Sequence, residues 1–206
     1  MVRFAIFAKA PRAGSVKTRL IPALGPEGAA SLYRRLAVAQ IERTVRAAPG
    51  CVDLWCAPDA DDEFFARCAE EFGVDLYVQP DADLGTRMHT AAVDTLRRAD
   101  AAVVIGTDCP GLTVDYLAHA ASQLEAKQHD VVIGPCEDGG YALIGMRAAQ
   151  PGLFSDIAWS TPEVAATTLR RLRALGLRWQ ELPLLWDVDD AADLPRLARW
   201  ESAGGK

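Results

Sequence analysis

The chain has little with which to build a covalent or metal framework. It carries five cysteines and three histidines in 206 residues. The cysteines (Cys51, Cys56, Cys68, Cys109 and Cys136) are odd in number, scattered, and form no Cys-x-x-Cys pair. That spacing excludes a zinc ribbon or a small disulfide scaffold and suits reduced thiols in a cytoplasmic protein. His89, His119 and His129 stand apart and make no ligand constellation. No apolar run approaches the ~20 residues that a membrane-spanning helix needs. The short apolar stretch near the N-terminus meets Lys9 and Pro11 at once, unlike a secretory signal. Basic charge is also short. Lys and Arg number 22 against 28 Asp and Glu, a net of −6, which argues against general nucleic-acid binding.

What the first 26 residues lack is acid. They hold Arg3, Lys9, Arg12, Lys17 and Arg19 and no carboxylate before Glu27, which leaves 17 basic against 28 acidic residues in the remainder. The run 2–8 is apolar and reads as a buried strand, and the loop after it carries Lys9, Arg12, Lys17 and Arg19 with Pro11 and Gly14 as punctuation. A cationic loop at the end of a first strand, in an otherwise acidic chain, is a place for a phosphate-bearing ligand. Four cations gathered there repel one another unless an anion joins them. The loop is not a Walker A motif: the stretch 14–18 (GSVKT) has the Lys-Thr pair, but Val16 stands where a second glycine is required.

Half the residues are apolar, and the length suits one globular domain, 1–201, followed by a small, polar, flexible tail, 202–206. Helical spacing and breakers place helices at 26–47, 59–72, 86–98, from after Gly111 to about 127, at 162–175, and from the acidic turn at 187–190 to about Trp200. Strands are expected at 51–57, 74–79, 101–106, 130–134, 141–146 and 177–184. Up to residue 146 strand and helix alternate, so a Rossmann-like three-layer α/β/α fold with a mostly parallel central sheet is expected. Residues 101–106, apolar without interruption, belong at the sheet centre.

In such sheets ligands bind beyond the carboxyl ends of the strands. The basic loop, Asp108, the turn at 137–140 (EDGG) and the pair Asp187 and Asp189 all fall at such ends. Carboxylates beside phosphate oxygens are what Mg2+ or Mn2+ takes. Each acid also has a plainer reading. Asp108, two before Pro110, suits a helix N-cap; the turn 137–140 suits a hairpin; Asp187 and Asp189 suit a cap on the last helix, with Asp189 or Asp190 in that role.

Three motifs, 7–20 (FAKAPRAGSVKTRL), 106–112 (GTDCPGL) and 134–141 (GPCEDGGY), resemble the radical-SAM/selenodomain-associated transferases. That family lies within the nucleotide-diphospho-sugar transferase (GT-A) superfamily, and its members are commonly labelled glycosyltransferases, some linked to arsenosugar biosynthesis. It is also similar to 2-phospholactate and molybdenum-cofactor guanylyltransferases. The resemblance extends to 187–194 (DVDDAADL). It implies that Lys9, Gly14, Lys17 and Arg19 hold nucleotide phosphates, and that Gln79, Leu84, Gly85 and Arg87 meet base and ribose. It further implies Asp108 as the metal aspartate with Asp187 or Asp189 as late partner, and Glu137, Asp138, Gly139, Gly140 and Tyr141 around an acceptor. The sequence departs from the superfamily where Thr107, Asp108 and Cys109 replace Asp-x-Asp. It departs again where Asp190, Ala191 and Ala192 replace Thr-Pro-Glu.

Residues and resemblance together point to a metal-dependent transferase that moves a sugar from a nucleotide-diphospho-sugar to a small acceptor. Lys17, Asp108 and Asp138 are its catalytic candidates, Asp138 as general base ahead of Glu137. The alternative is a nucleotidyltransferase, in which an acceptor phosphate attacks a nucleoside triphosphate and pyrophosphate leaves. A third reading is a nucleotide-binding protein without turnover.

Overall fold

The computed structural model describes residues 1–205. The apolar run after Met1 forms strand β1, Val2–Lys9, at the middle of the sheet. Its side chains alternate between faces, as the pleat requires. Phe4, Ile6 and Ala8 enter one core with Tyr33, Ile41, Phe65 and Leu117, and Ala5 enters a second core with Met88, Val104, Ile144 and Leu172. Helix α1, Ile21–Ala47, is broken at Gly25 (φ 70°) before Pro26. A residue preceding proline is pushed out of the helical region, and glycine takes up the positive φ, so the long helix begins at Pro26 as expected.

The remaining elements follow in order: β2 Val52–Ala57, α2 Glu63–Phe72, β3 Asp75–Val78, α3 Leu84–Leu96, β4 Ala101–Ile105, α4 Val114–Glu125, β5 Val131–Pro135, β6 Tyr141–Met146, α5 Val164–Ala174, β7 Trp179–Glu181 and α6 Leu194–Ser202. Asp62, Asp83 and Thr113 cap α2, α3 and α4, each side chain accepting an N–H two or three residues on. Asp108 therefore caps no helix, which overturns the plainer reading of that residue. The strand expected at 177–184 shortens to three residues. Leu182 still donates to Ile133, but Pro183 has no N–H to give and Leu184 turns out to solvent. The segment expected as a tail begins inside α6, whose last residue is Ser202. Gly205 then folds back to donate to the Trp200 carbonyl at 3.0 Å, and Lys206 lies outside the described residues.

The sheet order is β3-β2-β1-β4-β6-β5-β7. β6 runs antiparallel to both β4 and β5, while the other pairings are parallel. The β5–β6 link is a hairpin with no crossover helix, which is why alternation fails there. From β1 the chain winds outward through β2 to β3, then returns to place β4 on the other side of β1. The order reverses between β1 and β4, and a crevice opens beyond their carboxyl ends. A third apolar cluster (Leu20, Leu32, Leu36, Trp186, Val188 and Leu197) ties the end of the basic loop, α1, α6 and the late acidic segment together beside that crevice. At the opposite end of β1, Arg3 and Arg98 both bind the fully buried carboxylate of Asp53, so Arg3 is a structural cation.

Candidate functional site at the β1–β4 crevice

The loop leaving β1 turns at Gly14 (φ 79°) and again at Lys17, whose backbone is left-handed (φ 46°, ψ 45°). This brings Lys9, Lys17 and Arg19 round one cavity of about 580 Å³. Gln79, Leu84, Arg87, Thr107, Asp108 and Asp189 line it as well. A second lobe of about 540 Å³ continues from it; Lys9, Ser15, Val16, Gln79 and Arg87 line both, and Arg12 and Asp81 only the second.

Of the late acids Asp189 lines the first lobe, whereas Asp187 lines neither and is near enough to Asp108 and Lys17 to feel their charges. Trp186 and Val188 point into the third cluster, so Asp187 and Asp189 point the other way. Val188 donates to the Asp108 carbonyl at 3.0 Å, which ties this segment to the loop after β4. Asp193, just before α6, accepts from the N–H groups of Asp189 and Asp190 at 2.8 and 2.9 Å. The expectation that Asp189 or Asp190 caps the last helix therefore fails: Asp193 is the N-cap residue, and its carboxylate reaches back to order the acidic segment instead.

The basic loop is not a knot of uncompensated charge, as the sequence suggested. Arg12 pairs with Asp59 and Asp62, Lys17 with Asp108 at 2.9 Å and Asp189 at 3.8 Å, and Arg19 with Asp189. Carboxylates from distant parts of the chain supply the neutralisation that a local reading of residues 1–26 could not show. Lys9 and Arg87 remain without a carboxylate partner among the described residues, and both face the junction of the two lobes. The Arg87 Nε donates to the Ala82 carbonyl at 2.7 Å, which fixes the guanidinium there.

Other residues singled out from the sequence lie nearby but in different roles. The Gln79 side-chain nitrogen donates to the Trp55 carbonyl at 2.8 Å, joining the end of β2 to the cavity wall. Gly14 serves the turn and lines neither lobe. Gly85 faces Phe154 and Trp159, where an added Cβ would come within 2.3 Å of the Phe154 carbonyl oxygen. Gly139 (φ 86°) likewise admits the Pro162 carbonyl, and Tyr141 sets its ring edge-on to Trp159. Glu137 is held by Arg196 through two hydrogen bonds of 2.6 and 2.9 Å, and the guanidinium holds its carboxyl below the usual range. Asp138 accepts the Gly140 N–H at 2.8 Å on one oxygen. None of the five residues at 137–141 lines the two lobes.

Sequence reasoning missed Tyr33, Thr107, Ser15 and Ser160, which all line the cavity. The Tyr33 hydroxyl accepts from the Lys9 N–H at 2.7 Å and the Thr107 hydroxyl at 3.2 Å, joining the ends of β1 and β4. Burial pushes that phenol up to about 12, so it stays neutral. In the sequence Tyr33 is one more apolar position beside Leu32 and Leu36 on a helix. Ser160 carries a left-handed backbone (φ 63°), which no local motif announces.

The acids repel one another. Asp187 is pushed up to about 6, first by burial and then by the charges of Asp108 and Asp138, with Lys17 opposing. Among the described residues, no three His, Cys, Asp or Glu side chains converge as a closed metal cage. A hard dication beside phosphates needs only one or two carboxylates, however. Asp108 and Asp187 are of that chemistry, and the Lys17 ammonium placed among them marks a spot where positive charge is favoured. The residues present fit a hard divalent ion.

A mostly parallel sheet with its cleft at the β1–β4 switch point defines the class: an α/β protein with the fold of nucleotidyl and glycosyl transferases. The chain belongs to the family described as "Uncharacterized protein conserved in bacteria (DUF2064)", whose profile matches residues 40–161. It is similar to a provisionally assigned nucleotide-diphospho-sugar transferase from Desulfovibrio desulfuricans, at 31% identity over 96% of this chain and 86% of that one, with a TM-score of 0.82. A cytidylyltransferase from Leptospira borgpetersenii aligns at 14% identity over 98% and 87% of the two chains, with a TM-score of 0.65. Glucosyl-3-phosphoglycerate synthase from Mycobacterium tuberculosis, in complex with Mn2+, uridine diphosphate and glucosyl-3-phosphoglycerate, aligns at 10% identity over 96% and 75%, with a TM-score of 0.58. The last two share the fold alone. No curated protein matches the chain.

Proposed function

We propose that the protein is a transferase acting on a nucleotide-activated donor, taking the sugar of a nucleotide-diphospho-sugar to a small acceptor. The observation that carries this reading is the cleft itself. Lys9, Lys17, Arg19, Gln79, Leu84, Arg87, Asp108 and Asp189 come from separated segments of the chain to one place at the switch point. Lys9 and Arg87, the lining cations without carboxylate partners among the described residues, sit where the diphosphate of a ligand spanning both lobes would cross between them. Leu84, 42% exposed at the start of α3, offers apolar surface to the base or ribose.

In this reading Lys17 and Arg19 bind the phosphates nearer the acids. Asp108 and Asp187 would hold Mg2+ or Mn2+, which when bound neutralises the departing diphosphate. Asp138 takes the proton of an acceptor hydroxyl. One of its oxygens is engaged by Gly140, whereas both oxygens of Glu137 are taken by Arg196. This leaves Asp138 the better candidate for the base, while Glu137 would hold the hairpin in place. The likeness to the Desulfovibrio desulfuricans protein supports the donor class.

The second reading, transfer of a nucleotidyl group from a nucleoside triphosphate to a phosphorylated acceptor, uses the same cleft, and the cations at both ends of it suit a longer phosphate chain. A thermal-shift screen of nucleoside triphosphates, diphosphates and nucleotide sugars, each with and without Mg2+ or Mn2+, separates the two. A ligand at 100 times its dissociation constant stabilises a protein by about 2.7 kcal/mol, a readable shift in melting temperature. Selective stabilisation by one nucleotide sugar is the expected result. Selective stabilisation by one triphosphate favours nucleotidyl transfer, and no response to any nucleotide contradicts both.

A further inference from the structure

The Lys17 ammonium stands among the carboxylates of the site and not in the open cleft. It lies 2.9 Å from Asp108 Oδ2 and 3.8 Å from Asp189 Oδ1, its charge is felt at Asp187, and its side chain is only 5% exposed. The backbone that delivers it is left-handed, a conformation that non-glycine residues keep only when their surroundings impose it. Here the Lys17 carbonyl accepts the Leu20 N–H at 2.8 Å at the start of a 3-10 turn, and Leu20 is anchored in the third apolar cluster. The loop is thus held so that the lysine reaches inward.

From this placement we infer that Lys17 is the resident cation of the carboxylate set, so that a divalent ion binds only together with a phosphate ligand that draws the lysine away. One Asp108 oxygen is already occupied by the ammonium. A dication arriving alone would meet a fixed positive charge at hydrogen-bond distance from its own ligand, in a half-buried place where that repulsion is weakly screened. A ligand phosphate changes the balance. Lysine is a point charge on a flexible four-carbon stem, and Lys17 lines the same cavity as Lys9 and Arg87. Swinging toward the phosphate frees Asp108 at the moment the ligand brings its own need for a counter-ion. The inference rests on the nucleotide reading of the cleft for the phosphate, but not for the exclusion of the ion.

The test is Mn2+ binding, read from the loss of the free-ion electron paramagnetic resonance signal, in the intact protein and in Lys17→Met and Lys17→Gly. Glycine accepts the left-handed backbone, so the second variant guards against a failure of Lys17→Met to fold. Both variants should bind Mn2+ alone at least tenfold more tightly than the wild type, and adding Asp108→Asn should remove that gain. In the wild type, a nucleoside diphosphate should raise Mn2+ affinity at least tenfold, counted beyond the free ion that the same diphosphate removes in the absence of protein. Equal Mn2+ affinity in wild type and variants overturns the inference, as does a gain that survives Asp108→Asn. If the variants gain the site while no nucleotide binds the wild type, the exclusion stands and the nucleotide reading falls.

Discussion

Asp187 shows how one carboxylate's surroundings become a measurable property. Its folded-state value, raised to about 6, lies above its value in the unfolded chain, so the folded protein holds this proton more tightly. The folded state then binds more protons than the unfolded state between about pH 4 and 6, and this group's contribution to stability falls as pH rises through that window. Asp187→Asn removes the charge and keeps the shape. We expect it to raise the melting temperature above pH 6 and to change it little near pH 4, measured as melting temperature against pH for both proteins. A pH-independent difference would mean that Asp187 carries no such strain. The same residue illustrates what a sequence can give. Its chemistry and its neighbour Asp189 were readable, but the charges that act on it belong to Asp108 and Asp138, far away in the chain.

At the scale of elements, α6 frames the acidic side of the site. Asp193 orders the backbone of Asp189 and Asp190, while Arg196 grips Glu137 and stacks its guanidinium 4.4 Å from the Trp186 ring. Arg196 thus joins the β5–β6 hairpin to the segment that carries Asp187. Both partners of the ion pair are substantially exposed, so solvent screens the charge and the planar stacking on Trp186 shares the work of holding Arg196 in place. Arg196→Ala should lower the midpoint of urea unfolding slightly, and Arg196→Lys should recover less than half of that shift, because lysine keeps the charge but neither fork nor planar face. Full recovery by lysine would show that charge alone matters. This element was half legible: its end near Trp200 and the acidic turn before it follow from the sequence, whereas the role of Asp193 depends on how the chain folds back. The β5–β6 hairpin was likewise visible in its turn residues. That β6 inserts between β4 and β5 was not, because sheet order is set by long-range pairing and not by local pattern.

For the molecule as a whole, alternation of strand and helix and the position of chemistry-bearing loops at strand ends were enough to expect a mostly parallel sheet and a site at one rim. The β1–β4 crevice opens at that rim. Lys17, Arg19, Asp108 and Asp189 meet there from opposite ends of the sequence. The turn at 137–141, expected around an acceptor, is less clear in the sequence. Gly139 and Tyr141 turn out to pack against the segment from Trp159 to Pro162, a contact fixed by tertiary structure. In the proposed function, Lys9 and Arg87, which form no ion pair with a carboxylate among the described residues, hold the anionic part of a nucleotide between the two lobes. Isothermal titration of the double variant Lys9→Ala/Arg87→Ala with the nucleotide selected by the stability screen reads this role. Affinity should fall at least a hundredfold with melting temperature little changed; unchanged affinity would mean that the two cations do not hold the nucleotide.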